Sequence, residues 1–191
     1  MNKEHQEVKK GDSLELSPEI NHLWVGTGWD RDSQSGDLTA FLLKNGKIQT
    51  KKDVIFCGHT DENGISLDNE YLRNKYLIGS VIADDEFMEI KLSELNSDIT
   101  EIVFALVIYN AQECKLTLED LQNPYISLRD LDTKQELGRF HLHTTSADSI
   151  SVLFSRLKRN GSGWSYEIIG EESRMNMQEL AKKFMENSTS L

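Results

Sequence analysis

The sequence predicts an all-β domain: a sandwich of two antiparallel sheets with short helices and a C-terminal helix. Three observations predict it. Only two prolines, Pro18 and Pro124, interrupt 191 residues. Short apolar or alternating runs of strand length recur along the chain, with turn residues between them. Many short strands at regular spacing pack best as two facing sheets. The length suits one domain with a sizeable core, and two domains would be cramped. The expected organisation is a sandwich over residues 8–170, then a C-terminal helix and tail over 171–191.

The elements follow in order. Leu14 and Leu16 alternate with Ser13 and Glu15, which predicts an opening strand with one wet face. The chain turns over 18–21 into an apolar strand at 24–29, and a second apolar strand follows at 38–43. Lys44-Asn45-Gly46-Lys47 carries the Asn-Gly signal of a hairpin turn, with Ile48 returning along the next strand. Residues 54–57 read as a buried strand with Cys57 as a small core residue. The acidic connection at 59–69 has room for a short strand at 65–67, and 70–83 has no clear period and reads as a loop. Met88, Ile90 and Leu92 alternate with Glu89 and Lys91, predicting an inward apolar face and an outward polar one. Residues 102–109 are apolar on both faces and read as a covered central strand. A short helix at 117–121 would use Thr117 and Asp120 as a capping pair. Residues 124–129 and 136–143 pair across Asp132-Thr133, and 150–159 and 164–169 pair across 160–163. Residues 172–187 read as a helix with Met177, Leu180, Ala181 and Phe184 on one stripe.

Composition narrows the function classes. Hydrophobic residues at 38% and charged residues at 28% fit a folded water-soluble protein. A net charge of −11 and a pI near 4.9, with no basic stripe, argue against nucleic-acid binding. The first ten residues are polar and resemble no secretory signal, and no apolar run reaches membrane-spanning length. Direct membrane insertion is therefore not expected. Cys57 and Cys114 make no disulfide framework, which fits a reducing cytoplasm.

The stretch WVGTGWDRDSQSGDLTAFLL, residues 24–43, places Asp30, Asp32 and Asp37 in one short loop between two strands. Clustered carboxylates are how proteins gather oxygens for a hard cation, although acidic loops also serve solubility alone. The order G-x-G-W-D then D-L-x-A-F-L-L resembles the opening of the TerD family, the tellurium-resistance and general-stress proteins of bacteria. The resemblance continues through Val8-Lys9-Lys10-Gly11, Ile102-Val103-Phe104 to Asn110-Ala111, Asn123-Pro124-Tyr125-Ile126, Glu136-Leu137-Gly138-Arg139-Phe140 and Trp164. It runs in order from Val8 to about Gly170 and implies a sandwich of two antiparallel sheets.

The resemblance also implies calcium held by loops at one end of the sandwich. Asp30 and Asp37 match the first family motif, while Thr39 stands where the family has a second acid. Asp68-Asn69 and Asp84-Asp85-Glu86 match the ends of the second motif. Between them the family's compact acidic loop is replaced by a longer segment carrying Arg73 and Lys75, and Asn110 replaces an Asp. Each change removes negative charge or adds positive charge, so calcium binding is expected to be weakened or lost. The expected ligand set is Asp30, Asp37, Asp68, Asn69, Asp84, Asp85 and Glu86.

The new segment holds Tyr71, Leu72, Tyr76, Leu77, Ile78, Val81 and Ile82, which would plug the ion site, cover an edge or meet a partner. His141 and His143 lie two apart on a strand, a spacing that suits a transition metal, but no third ligand is near in sequence. The chain contains no P-loop, no G-x-S-x-G and no H-E-x-x-H, so no enzyme is expected. The resemblance implies a cytoplasmic adaptor or sensor working with other proteins of a tellurite-resistance or stress system. An integral membrane partner would hold it at the inner membrane. The other reading is an ion-free family member that acts as a protein-interaction module.

Overall fold

A computed structural model describes residues 6–30, 36–76 and 84–186. Its strands are β1 (Ser13–Glu15), β2 (His22–Gly28), β3 (Gly36–Leu43), β4 (Val54–Ile55), β5 (Asp61–Glu62), β6 (Ile65–Leu67), β7 (Glu86–Lys91), β8 (Glu101–Ile108), β9 (Tyr125–Asp130), β10 (Gln135–His141), β11 (Ser151–Asn160) and β12 (Gly163–Ser173). The helices are α1 (Glu70–Tyr76), α2 (Ala111–Cys114) and α3 (Met177–Glu186). One sheet runs β1-β12-β11-β8-β3-β4 and the other β10-β9-β2-β7-β6-β5, with every strand pair antiparallel. The predicted two-sheet sandwich is what forms.

Alternation decides which side chains enter the core. Leu23 and Val25 of β2, Met88 and Ile90 of β7, and Leu38, Ala40 and Leu42 of β3 face one another between the sheets. The odd positions of β3 and β8, Phe41, Leu43, Val103, Ala105 and Val107, face the other way and are also buried. α3 covers them with Leu180 and Phe184, and Phe184 meets Phe41 at 5.0 Å between ring centroids. β8 is therefore buried on both faces, as its unbroken apolar run requires. The start of α3 is fixed by reciprocal bonds: the Glu179 N–H donates to Asn176 Oδ1 at 3.0 Å and the Asn176 N–H to Glu179 Oε2 at 2.9 Å.

Several local expectations are corrected. α3 begins at Met177 because β12 continues through Ser173. Ile48 is buried but lies in no strand, since the Asn45-Gly46 turn closes only the Lys44–Lys47 bridge. A 3-10 turn at Lys51–Asp53, boxed by Thr50 and Asp53, then redirects the chain into β4. Cys57 is exposed, in the turn just past β4, and is not a core residue. The reading of 70–83 as a loop fails at its start, where 70–76 form α1. Leu77, Ile78, Val81 and Ile82 lie outside the described residues, as does Asp32.

α1 has a definite seat. Asn69 caps it by accepting the Leu72 N–H at Oδ1, 3.0 Å. Leu72 then packs on Trp24 and Phe87, whose rings stack at 3.7 Å and 13° on the outer face of the second sheet. The outer side of β7 is consequently not wet. Glu89 is buried there, bonded to His22 Nε2 at 2.7 Å and Lys75 Nζ at 3.2 Å.

Candidate functional site

Strand register brings all seven expected ligands to one end of the sandwich. The end of β2 lies beside the starts of β7 and β9, the end of β6 beside β7, and the start of β3 beside the end of β8. Sharing an end is not the same as sharing an ion, and the seven side chains separate into distinct roles.

Asp84 is a structural anchor on the outer face of the second sheet. Its carboxylate accepts from Trp24 Nε1 at 2.7 Å and from the Tyr125 hydroxyl at 2.8 Å. Burial pushes its carboxyl up, and those two donors pull it back. The Asp84 carboxylate fills the place a side chain on Gly26 would need, since a Cβ there would collide with Oδ2. Tyr125 in turn lies under the Arg139 guanidinium at 4.1 Å and beside the His141 ring at 5.5 Å. Trp24, Asp84, Tyr125 and Arg139 thus tie β2, β9 and β10 to the segment that enters β7. Glycine at positions 26 and 28, alternating with Trp24, is the sequence signal for this close packing. Tyr125 itself carried none.

Other expected ligands are also engaged. The Asp85 carboxylate accepts the Trp29 N–H at 2.9 Å. The Asp30 carboxylate accepts from Asn123 Nδ2 at 2.7 Å. Asn69 is occupied as the cap of α1.

Asp37, Asp68 and Glu86 are the carboxylates that remain, near enough for the charges of Asp37 and Asp68 to bear on Glu86 without the three meeting at one point. The even register of Glu86 turns it between the sheets, where Oε2 accepts the Leu38 N–H at 2.5 Å. That N–H lies on the side of β3 that short β4 leaves open, because β4 pairs only with Ala40 and Phe41. Burial pushes the Glu86 carboxyl up to about 7, against the Leu38 bond, and the negative Asp37 and Asp68 push it the same way. Burial also raises Asp37 and Asp68.

The cation among these carboxylates belongs to the chain. Arg73 of α1 forms an ion pair with Asp68, donates to the Asp85 carbonyl at 2.9 Å, and sits 5.9 Å over the Phe87 ring. Calcium takes six to eight oxygens. Five of the seven expected donors, Asp30, Asn69, Asp84, Asp85 and Glu86, accept hydrogen bonds within the fold, and Asp68 is paired with a guanidinium. Among the described residues no three His, Cys, Asp or Glu side chains converge as a metal-binding group. As placed, the described residues of the expected set do not gather around one shared calcium. Among the described residues His141 joins no ligand cluster, and it contacts Tyr125 and Glu7.

Comparison with known proteins places this geometry. Residues 5–184 match the TerD domain family model. The chain is 28% identical over 173 residues to Tellurium resistance protein TerD of Serratia marcescens, covering 86% of this chain and 88% of that protein. It is 24% identical over 183 residues to General stress protein 16U of Bacillus subtilis (strain 168), covering 92% and 93%. A solved structure described as a homologue of telluride resistance protein (TerD), from Streptomyces coelicolor A3(2), superposes with a TM-score of 0.62 at 15% identity. It covers 85% of this chain and 95% of that one, a likeness of fold. Among the described residues no helix is long and apolar enough to cross a membrane.

Proposed function

This chain belongs to the TerD family, and from that membership we propose that it is a non-catalytic binding module of bacterial stress or tellurite resistance in which Arg73 takes the place of calcium. The placement of Arg73 carries the reading. A guanidinium supplied by α1 neutralises Asp68 and ties α1 to the backbone of Asp85, so the acidic end keeps its shape without a bound ion. Its relatives are named as resistance and stress proteins, which supports a role in response to insult. The module would act through other proteins of such a system, and an integral membrane partner would bring it to the inner face of the membrane. Calcium sensing, which the family motifs imply, is the competing reading. The carboxyls of Asp37, Asp68 and Glu86 favour it, because Asp68 Oδ1 is buried without a partner.

Thermal melts decide between them. A ligand that binds only the folded state raises the midpoint. The wild type is expected to melt identically in chelator and in millimolar calcium, once the response to equal magnesium is subtracted. Arg73→Ala is expected to melt lower and to gain a calcium-specific rise, since its carboxylates lose their internal cation. A calcium-specific rise in the wild type that disappears in an Asp30→Ala, Asp37→Ala variant would overturn the proposal and make the chain a calcium sensor.

A further inference from the structure

α3 does not cover the whole outer face of the first sheet. It lies over Phe41 and Leu43, with the Phe184 carbonyl accepting the Ile48 N–H at 3.3 Å. At the other end of the helix, a cavity of about 430 Å³ opens over the first half of β3. Asp37, Thr39 and Val107 are part of its lining, with Phe56, Ile150 and Met177 around them. The size lies within the usual range for small-molecule sites, which are mostly apolar with a few placed polar groups.

The polar groups here are unspent. Thr39 is fully buried, and its Oγ1 has no hydrogen-bond partner among the described residues. A buried hydroxyl left unpaired is destabilising, so a partner supplied from the cavity would recover stability. Asp37 accepts no hydrogen bond from a described residue, and burial disfavours its charge. Asp37 and Glu113 both line the cavity, and among the described residues no Lys or Arg does. Arg73, the cation paired with Asp68, is not among the lining residues. A bare calcium would find few charged oxygens and much hydrocarbon here. An ammonium on an apolar body would find both things it needs.

We propose that this cavity binds a small organic ammonium, its nitrogen donating to Asp37 and to Thr39 Oγ1 and its hydrocarbon body lying against Phe56, Ile150 and Met177. The acidic chain as a whole favours the approach of a cation. The site shares Asp37 with the carboxylates near Glu86 but not Arg73, so the readouts separate the two readings: amine binding fails here, whereas a calcium-specific rise in the wild-type melt fails the calcium-free reading.

The test is titration of the full chain, followed by calorimetry and amide NMR, with 2-phenylethylamine and 1,4-diaminobutane. The neutral 2-phenylethanol and calcium serve as controls at matched ionic strength. At least one amine is expected to bind at least tenfold more tightly than the alcohol, with shifts centred on the amides of Asn176 and Gln178. Asp37→Asn should lose at least tenfold in amine affinity while folding normally, because burial already disfavours the charge it removes. Thr39→Val should weaken the amine severalfold and raise the melting midpoint, a pairing that general damage to the fold does not produce. Equal binding of amine and alcohol, unaltered affinity in Asp37→Asn, or shifts elsewhere on the molecule would overturn the assignment. So would saturable binding of calcium alone.

Discussion

Asp84, Asp85 and Glu86 are consecutive, yet backbone alternation sends their side chains to different places. Asp84 lies over Gly26 on the outer face, Asp85 receives the Trp29 N–H, and Glu86 points between the sheets to Leu38. Their identity as acids was legible in the sequence, but their separation was not. A run of carboxylates reads as a ligand set until the strand start fixes which face each occupies. Glu86 carries a measurable consequence. Its folded pKa of about 7 lies above its ordinary 4.5, so the folded state holds the proton more tightly than the unfolded one. Stability contributed by this proton is complete below the unfolded value and is lost as pH rises through about 7. The full shift corresponds to at most about 3 kcal/mol, and the upward shifts at Asp37, Asp68 and Asp84 act in the same direction. The melting midpoint is therefore expected to be higher at pH 5.5 than at pH 8, by roughly 5 °C or more for a domain of this size. Glu86→Gln keeps an acceptor for the Leu38 N–H and should flatten most of that slope. A wild-type midpoint that climbs from pH 5.5 to 8 would rule out the raised carboxyl. Asp53 sets the acid limit: burial pushes it up, but the Thr50 and Gln49 N–H groups and Lys44 hold it below the usual carboxylate range.

At the scale of elements, strands were easier to read than the short helix, for a physical reason. Each long strand carries its own alternation, and β8, buried on both faces, announces itself as an unbroken apolar run. The turns at Asn45-Gly46 and Asn63-Gly64 place both residues at positive φ, which Asn and Gly adopt most readily. α1 has only seven residues and, among its described side chains, one buried anchor, Leu72, so no periodic stripe could mark it. What makes it a helix is tertiary: the Trp24–Phe87 stack offers a flat apolar seat, and Arg73 finds Asp68 one turn back. The residue to remove is therefore Leu72. Leu72→Ala is expected to cost about 2–4 kcal/mol, the usual range for a buried leucine. Uncovering Trp24 should also red-shift its emission and change the near-ultraviolet circular dichroism. Because Arg73 is carried by α1, the same variant should acquire part of the calcium response expected of Arg73→Ala. Stability within about 0.5 kcal/mol of wild type would show that α1 is not seated on the sheet.

For the whole molecule, the dominant long-range term is a net charge of −11 spread over 191 residues. Like charges repel more strongly in the compact state than in the extended chain, so folding proceeds against this field. The fold answers it locally with basic groups placed against acids: Arg73 on Asp68, Lys75 on Glu89 and Lys183 on Glu171. The last of these is partly exposed and contributes little, since exposed pairs are worth about 0–1 kcal/mol and weaken in salt. Raising NaCl from about 0.02 M to about 0.5 M shortens the screening length from roughly 20 Å to roughly 4 Å. Repulsion between distant carboxylates is then suppressed, while the buried Glu89 contacts keep most of their strength. The midpoint is expected to rise by roughly 2–4 °C over that range, equivalent to about 1 kcal/mol. Magnesium and calcium should raise it further and equally, because screening depends on valence and not on coordination geometry. That equality makes the calcium melts interpretable, since only an excess over magnesium reports an ion held by directed oxygens. A midpoint that falls with NaCl would mean that the ion pairs seating α1 and α3 stabilise the sandwich by more than its net charge opposes it.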